Sequence, residues 1–267
     1  MGQIEGRVAI VTGGASGIGA ACVRTLAREG ARLAVTDIDE AAGRALAAEI
    51  AAQAGDALFV RLDVTDEDSW VAAMDTVDRH FGRLDIMVAN AGMCLMADTI
   101  AMPLADWRRQ NALNLDGAFL SVKYAIPAMR RSGGGSIVIM SSVAGLHGSA
   151  GFAGYCASKG GVRMFAKAVA MECCRAGDAI RVNTVHPGVI DTPLWATLPL
   201  PSADGKPKTV IDPQRMGKAD APLGRSGLAE EVAEGVLFLA SDASSYMTAA
   251  ELVIDGGITG GAMPRRR

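Results

Sequence analysis

Tyr155 and Lys159 stand four residues apart, in the run Gly154-Tyr155-Cys156-Ala157-Ser158-Lys159, and Ser142 lies thirteen residues before the tyrosine. On a helix, positions i and i+4 share a face, so this spacing sets an ammonium beside a phenol. A phenol with an ordinary pKa near ~10 is a poor base at neutral pH. A fixed positive charge next to it favours the phenolate and brings the group toward useful acid–base range. Upstream, Thr12-Gly13-Gly14-Ala15-Ser16-Gly17-Ile18-Gly19 is a glycine-rich stretch of the kind that admits a pyrophosphate. A phenol–ammonium pair beside a dinucleotide site is what moving a hydride to or from an alcohol carbon requires.

The glycines follow an apolar strand, Val8 to Val11, and open a helix. Their spacing, Gly13-x-x-x-Gly17-x-Gly19, differs from the commoner G-x-G-x-x-G, but the physical tasks are the same. One glycine turns the chain, one lets backbone reach the phosphates, and one lets helix pack closely on strand. Ser16 and Ile18 lie within this turn, and the helix start offers free amides and a positive dipole end. Asp37 ends the second predicted strand, where an adenosine ribose would lie. Its carboxylate can accept both ribose hydroxyls and repels a 2′-phosphate, and Ser16 brings no compensating positive charge, so NAD is the expected cofactor rather than NADP. Asp63-Val64 and Asn90-Ala91-Gly92 end the next two strands and complete a row of cofactor contacts, since open α/β sheets bind ligands at strand carboxyl ends.

The elements that must hold these residues alternate along the chain. Strands are expected at Val8–Val11, Arg32–Thr36, Ala57–Leu62, Ile86–Ala89, Ser136–Met140, Ile180–Val185 and Glu251–Ile254. Helices are expected at Gly19–Glu29, Glu40–Ala54, Asp66–His80, Trp107–Arg131, Tyr155–Cys174 and Ala229–Leu239. That rhythm predicts βαβ units and a parallel sheet covered on both faces, as one domain over residues 1–267. The exception is Asp191 to Gly224, which holds six prolines and three glycines and reads as a substrate lid. Lys206, Lys208, Arg215 and Lys218 in that stretch read as solvated surface charge.

Composition narrows the function classes. The chain is half hydrophobic, so a large core is available, and its net charge of −3 offers no basic field for nucleic acid. The one basic run, Arg265-Arg266-Arg267, reads as a solvated tail. The cysteines Cys22, Cys94, Cys156, Cys173 and Cys174 show no metal-ligand spacing and read as reduced, mostly buried thiols; no metal is expected. No apolar run approaches the roughly 18 residues a membrane span needs, and no signal-peptide layout opens the chain, so a cytoplasmic protein is expected.

Along nearly its whole length the chain resembles the short-chain dehydrogenase/reductase family. The resemblance rests on Thr12-Gly13-x-x-x-Gly17-Ile18-Gly19, Asp63-Val64, Asn90-Ala91-Gly92, Asn114, Ser142, Tyr155-x-x-x-Lys159, Pro187-Gly188 and Asp255-Gly256-Gly257. Two departures are Ala89, where the family often has a second Asn, and Ala249-Ala250, which replaces a frequent glycine. The resemblance implies an α/β fold: a single-domain, Rossmann-like three-layer sandwich with a seven-stranded parallel sheet. It implies a catalytic tetrad at Asn114, Ser142, Tyr155 and Lys159, with Tyr155 as the acid–base group. Lys159 would lower the Tyr155 pKa and bind the nicotinamide ribose, Ser142 would orient the substrate oxygen, and Asn114 would hold a relay water. Ile190 and Thr192, after Pro187-Gly188, would meet the nicotinamide carboxamide. It also implies a homotetramer, with the Trp107–Arg131 and Tyr155–Cys174 helices pairing across one interface.

Met93, Leu95, Met96, Ala144, Leu146, Phe152, Val189, Leu194 and Trp195 flank the catalytic group or open the lid. Most are apolar, which suits a hydrophobic secondary alcohol or its ketone. The wording near Asn183 to Gly188 and Ser244 to Gly257 is similar to bacterial hydroxysteroid and alicyclic alcohol dehydrogenases of the family. Two other readings stay open: a reductase of 3-oxoacyl-carrier-protein thioesters and a non-catalytic NAD-sensing protein. Asp37 and the acidic net charge weigh against the first, and the intact Tyr155 and Lys159 against the second. Ser141 competes with Ser142 for the substrate oxygen, though the thirteen-residue spacing favours Ser142; His147 is not needed as a base, and His186 reads as structural.

Overall fold

Short runs of Val, Ile, Leu and Ala make the strands, and in the computed structural model, which describes residues 2–53, 55–197 and 211–261, they lie in one parallel sheet. The strands are β1 (Val8–Thr12), β2 (Arg32–Asp37), β3 (Ala57–Arg61), β4 (Ile86–Ala89), β5 (Gly135–Met140), β6 (Ile180–Pro187), β7 (Ile190–Asp191), β8 (Gly227–Leu228) and β9 (Glu251–Ile254). The helices are α1 (Gly17–Arg28), α2 (Glu40–Ala52), α3 (Glu67–Phe81), α4 (Leu104–Asn111), α5 (Gly117–Ser132), α6 (Ala153–Ala176), α7 (Pro213–Asp220) and α8 (Ala229–Ala240). The main sheet runs β3-β2-β1-β4-β5-β6-β9, every pair parallel, and β7 pairs with β8 in a separate two-stranded ribbon. This is the expected Rossmann-like three-layer sandwich with seven strands.

Period-2 alternation decides which layer each residue enters. Ile10 of β1, Met87 of β4 and Ile137 of β5 point to the layer of α3, α5 and α6. Their neighbours Val11, Val88 and Val138 point to the layer of α1, α2 and α8. Because both faces are covered, the strands read as continuous apolar runs rather than as alternating ones.

Strand order turns around between β1 and β4, whose successors in the chain lie on opposite sides. At such a switch point the loops beyond the carboxyl ends diverge and leave a crevice. The residues that follow β1, β2, β3, β4, β5 and β6 are the glycine turn, Asp37 and beyond, Asp63, Asn90, Ser142 and Gly188, so one edge of the sheet collects the whole candidate site.

One expectation needs correction, and a second gains detail. The helix read as Trp107–Arg131 is α4 and α5 joined through a π-helical turn, Ala112–Asp116, because each π bond spans one residue more than an α bond. The stretch read as a substrate lid contains α7, a helix that its prolines did not suggest, capped by Asp212, whose side chain accepts from Gln214 N at 2.9 Å, with Pro213 in the first turn. Residues 198–210 of that stretch, with Lys206 and Lys208, and the Arg265–Arg267 tail lie outside the described residues.

The departure at Ala249 has a structural counterpart. It is the one non-glycine among the described residues with positive φ, at 58°, and its N–H donates to Val182 O at 2.7 Å. A Cβ in the left-handed region costs about 1–2 kcal/mol, partly offset by alanine's smaller unfolded-state entropy. Ala249→Gly is therefore expected to stabilise the protein by about 0.5–1 kcal/mol; an unchanged denaturant midpoint would show that the left-handed conformation carries no strain.

Candidate active site

The glycine turn is shaped by two contacts. Gly13 has φ +61°, a conformation that suits glycine, and a Cβ on Gly19 would sit 2.0 Å from Gly13 O. The absence of side chains at these positions leaves α1 with an open N-terminus toward the crevice, and Ser16 at its N-cap makes no side-chain cap bond. Asn90 braces the turn from β4: its Nδ2 donates to Thr12 O at 3.0 Å and Gly13 O at 3.2 Å. Asp37 braces it from β2, accepting from Ala15 N at 3.0 Å with one oxygen and from Asp39 N at 3.0 Å with the other. Each oxygen keeps a lone pair for a further donor. Thr192, at the entrance of the lid segment, packs on Gly17.

A cavity of about 500 Å³ runs from this turn across the strand ends to the tyrosine. Gly13, Ser16, Gly17, Ile18, Asp37, Asp63, Val64, Asn90, Ala91 and Gly92 line one part of it. Ser142, Tyr155, Lys159, Pro187, Gly188, Ile190 and Thr192 line the other. Of the predicted set only Gly19 and Asn114 stand behind the wall. Among the expected substrate contacts, Met93, Ala144, Phe152, Val189, Leu194 and Trp195 face the cavity, whereas Leu95, Met96 and Leu146 do not. Leu95 is buried beneath the loop that follows β4. Cys94 and Met216 face the cavity instead. Met216 reaches it from α7, and the Asp212-Pro213 capping pair was the signal that a helix begins there.

Around the tyrosine the polar groups are tightly engaged. Lys159 is almost fully buried and donates from Nζ to Met140 O at 2.8 Å, with its ammonium 5.8 Å from the centre of the Tyr155 ring. Burial draws its pKa down from the ordinary lysine value to about 8. Burial drives the Tyr155 phenol the other way, above its ordinary value; the nearby Cys94 thiol adds to the rise, and a hydrogen bond with Ser142 opposes it. The Lys159 ammonium donates to the Met140 carbonyl, and desolvation by burial is the largest influence on the phenol in the protein alone. Cys94 is held at about 12 by burial and is a neutral thiol at physiological pH.

Asn114 sits in the π turn, 1 % exposed. Its Oδ1 accepts from Met93 N at 2.8 Å, and its Nδ2 donates to Met93 O at 2.9 Å and to Ser158 Oγ at 3.0 Å. Ser158 in turn donates to Tyr155 O at 2.9 Å, so the loop after β4, the π turn and the start of α6 are linked in one chain. Ser158 lies between the motif residues and carried no sequence signal of its own. Ser142 Oγ accepts from Ala144 N at 3.1 Å, and its carbonyl meets His186 Nδ1 at 3.0 Å. His186 is fully buried, its Nε2 lies 2.8 Å from Thr184 Oγ1, and burial lowers its pKa, so it is a neutral structural group, as expected. Ser141 donates to Lys159 O at 3.0 Å, which commits its hydroxyl and leaves Ser142 as the serine beside the phenol.

Among the described residues no cluster of His, Cys, Asp or Glu could hold a metal ion, and no helix is long and apolar enough to cross a membrane. The five cysteines are free, with Cys22, Cys94 and Cys173 buried, Cys156 half-buried and Cys174 exposed.

A family profile described as enoyl-(acyl carrier protein) reductase matches residues 13–259. The cyclopentanol dehydrogenase of Comamonas sp. (strain NCIMB 9872) is 41 % identical over 259 residues, covering 97 % of this chain and 99 % of the relative. The 3-beta-hydroxysteroid dehydrogenase of Comamonas testosteroni is 41 % identical over 258 residues, covering 97 % and 98 %. A crystal structure of a short-chain type dehydrogenase/reductase from Mycobacterium marinum superposes with a TM-score of 0.87 at 36 % identity, covering 96 % of each chain.

Proposed function

The chain belongs to the short-chain dehydrogenase/reductase family, and from that premise we propose that it is an NAD-dependent enzyme interconverting a hydrophobic secondary alcohol, hydroxysteroid or alicyclic, with its ketone. Oxidoreduction of alcohols with a nicotinamide cofactor is the common activity of the family's dehydrogenases. The finer reading rests above all on the joint geometry of Ser142, Tyr155 and Lys159 at one end of a cavity whose other end is the glycine turn.

In this reading the nicotinamide, when bound, supplies the two-electron acceptor or donor for the carbinol carbon. The chain's own residues manage the oxygen and its proton. Tyr155 Oη gives a proton to the ketone oxygen in reduction and takes it from the alcohol in oxidation. The Ser142 hydroxyl, fixed by Ala144 N, orients that oxygen against the phenol. Lys159 holds the cofactor's nicotinamide ribose, and Asn114 fixes the loop and helix that frame the site. Met93, Phe152, Val189, Leu194 and Trp195 give the substrate a mostly apolar wall. The segment from Asp191 to Gly224 is the substrate lid, within one catalytic domain, and the enzyme is a cytoplasmic homotetramer.

The test is NADH formation by purified protein with cyclopentanol, hydroxysteroids, sugar alcohols and 3-hydroxyacyl thioesters. Turnover on a cyclic alcohol or steroid supports the reading; turnover on thioesters alone replaces it with the carrier-protein reductase reading. Protein that binds NADH but turns over none of them points to the sensing role. For the cofactor, Asp37→Asn removes the negative charge but keeps an acceptor. It is expected to lower the ratio of kcat/KM with NAD to that with NADP by about tenfold, or ~1.4 kcal/mol. An unchanged ratio would mean that Asp37 does not face the 2′ position.

A further inference from the structure

Gln110 is fully buried on α4, four residues before Asn114, and the two amides treat the loop after β4 alike. Asn114 Oδ1 accepts from Met93 N at 2.8 Å; Gln110 Oε1 accepts from Leu95 N at 2.6 Å. The bonds fall on alternate residues, so both N–H groups face α4, while Met93 and Cys94 line the cavity and Leu95 packs beneath. Among the described residues, no other hydrogen bond holds the chain between Met93 and Ala97, whose N–H donates to Gly151 O at 3.0 Å.

The other half of the amide is the telling part. Gln110 Nε2 is buried without a hydrogen-bond partner among the described residues. It lies against Gly154, where a Cβ would approach to 2.8 Å, immediately before Tyr155. An orphaned buried donor carries a desolvation cost that a methionine of similar length would avoid. Packing alone therefore gives no reason for an amide here, and the acceptor facing Leu95 N does.

We propose that Gln110 is a positioning residue that forms, with Asn114, a two-rung clamp fixing the Met93–Leu95 wall of the substrate cavity against the start of the tyrosine helix. The proposal rests on the alcohol-oxidoreductase reading for what the wall contacts, but the clamp itself is local geometry. It acts on substrate rather than cofactor: Asn90 and Asp37 brace the glycine turn independently of Gln110.

Gln110→Met tests it. The variant is expected to raise KM for the alcohol about tenfold, with kcat within threefold of wild type and NADH affinity within twofold. Its unfolding temperature should change little, because the orphaned amide donor leaves while the buried Leu95 N–H loses its acceptor, two desolvation effects of similar size and opposite sign. An unchanged KM overturns the proposal. So does a joint loss of NADH affinity and unfolding temperature, the mark of a merely structural residue. If the methionine variant fails to fold, Gln110→Asn withdraws the same acceptor by one methylene and should give the same rise in KM; an unchanged KM again overturns the proposal. If wild-type protein turns over no alcohol, the functional reading fails by itself, and the clamp is read from amide exchange. Leu95 N–H should then exchange faster in the variant while Met93 N–H stays protected, and equal exchange at Leu95 overturns it.

Discussion

Tyr155→Phe is expected to reduce turnover of a cyclic secondary alcohol with NAD by about a thousandfold or more, while NADH affinity stays within about twofold. The substitution removes one oxygen and keeps the ring that packs near Phe152. General acid–base catalysis contributes about 10²–10⁴-fold, and the neighbouring groups are poor substitutes for the phenol: the Cys94 thiol is held at about 12, His186 has both ring nitrogens engaged, and the Lys159 ammonium donates to Met140 O. The wild-type pH profile follows from the raised phenol pKa. Below that pKa the phenol keeps its proton, so ketone reduction is favoured at neutral pH. Alcohol oxidation needs the phenolate, so its rate should climb as pH rises toward the alkaline range. Steady-state kinetics in both directions check this; a Phe variant with wild-type turnover would remove Tyr155 from the chemistry.

Lys159→Met should impair turnover by about a hundredfold or more and yet make the protein without cofactor more stable at pH 7. The activity loss follows from losing the cation proposed to hold the ribose. The stability gain follows from linkage. Lys159 has a folded pKa near 8 against an ordinary value near 10.5, so the folded state pays for burying its charge below pH 8. As pH rises from 8 to 10.5 the folded lysine loses its proton before the unfolded one, and wild-type stability rises relative to the variant. The variant's advantage at pH 7 is on the order of 2 kcal/mol after allowing for the lost bond to Met140 O, and it should shrink steadily toward pH 10.5. Denaturant titrations of both proteins at pH 7, 9 and 10.5 measure it; an advantage that does not change with pH would put its origin in packing rather than charge.

The surroundings of Tyr155 and Lys159 show where sequence spacing stops. Four residues on a helix bring an ammonium near a phenol, but whether the ammonium points at the oxygen depends on what else competes for it. Here the Met140 carbonyl, delivered by β5, accepts one of the three N–H donors of Nζ. The π turn is a second case. Nothing in the Trp107–Arg131 composition distinguishes it from continuous helix, yet it sets Asn114 where one amide reaches both Met93 and Ser158. Helix α7 was hidden for another reason: the prolines of Asp191–Gly224 dominate the reading of that stretch, and the Asp212-Pro213 cap is a two-residue signal within it. Leu95 and Leu146 were taken for wall residues because adjacency in sequence to the site was the only guide to them.

What the sequence determined by itself is whatever is local or periodic. The β/α alternation follows from hydrophobic period, the tight turn after β1 from glycines whose backbone and close contacts exclude a Cβ, and the Tyr–Lys pair from helical spacing. The strand-end positions of Asp37, Asp63, Asn90, Ser142 and Gly188 also follow, once the strands are known to be parallel. Only the tertiary structure decided how groups from different elements compete for the same partners: Lys159 for Met140, Asn114 and Gln110 for the loop after β4, Met216 for the cavity wall. Those outcomes depend on contacts between residues far apart in the chain, and their geometry and desolvation exist only once the layers have packed.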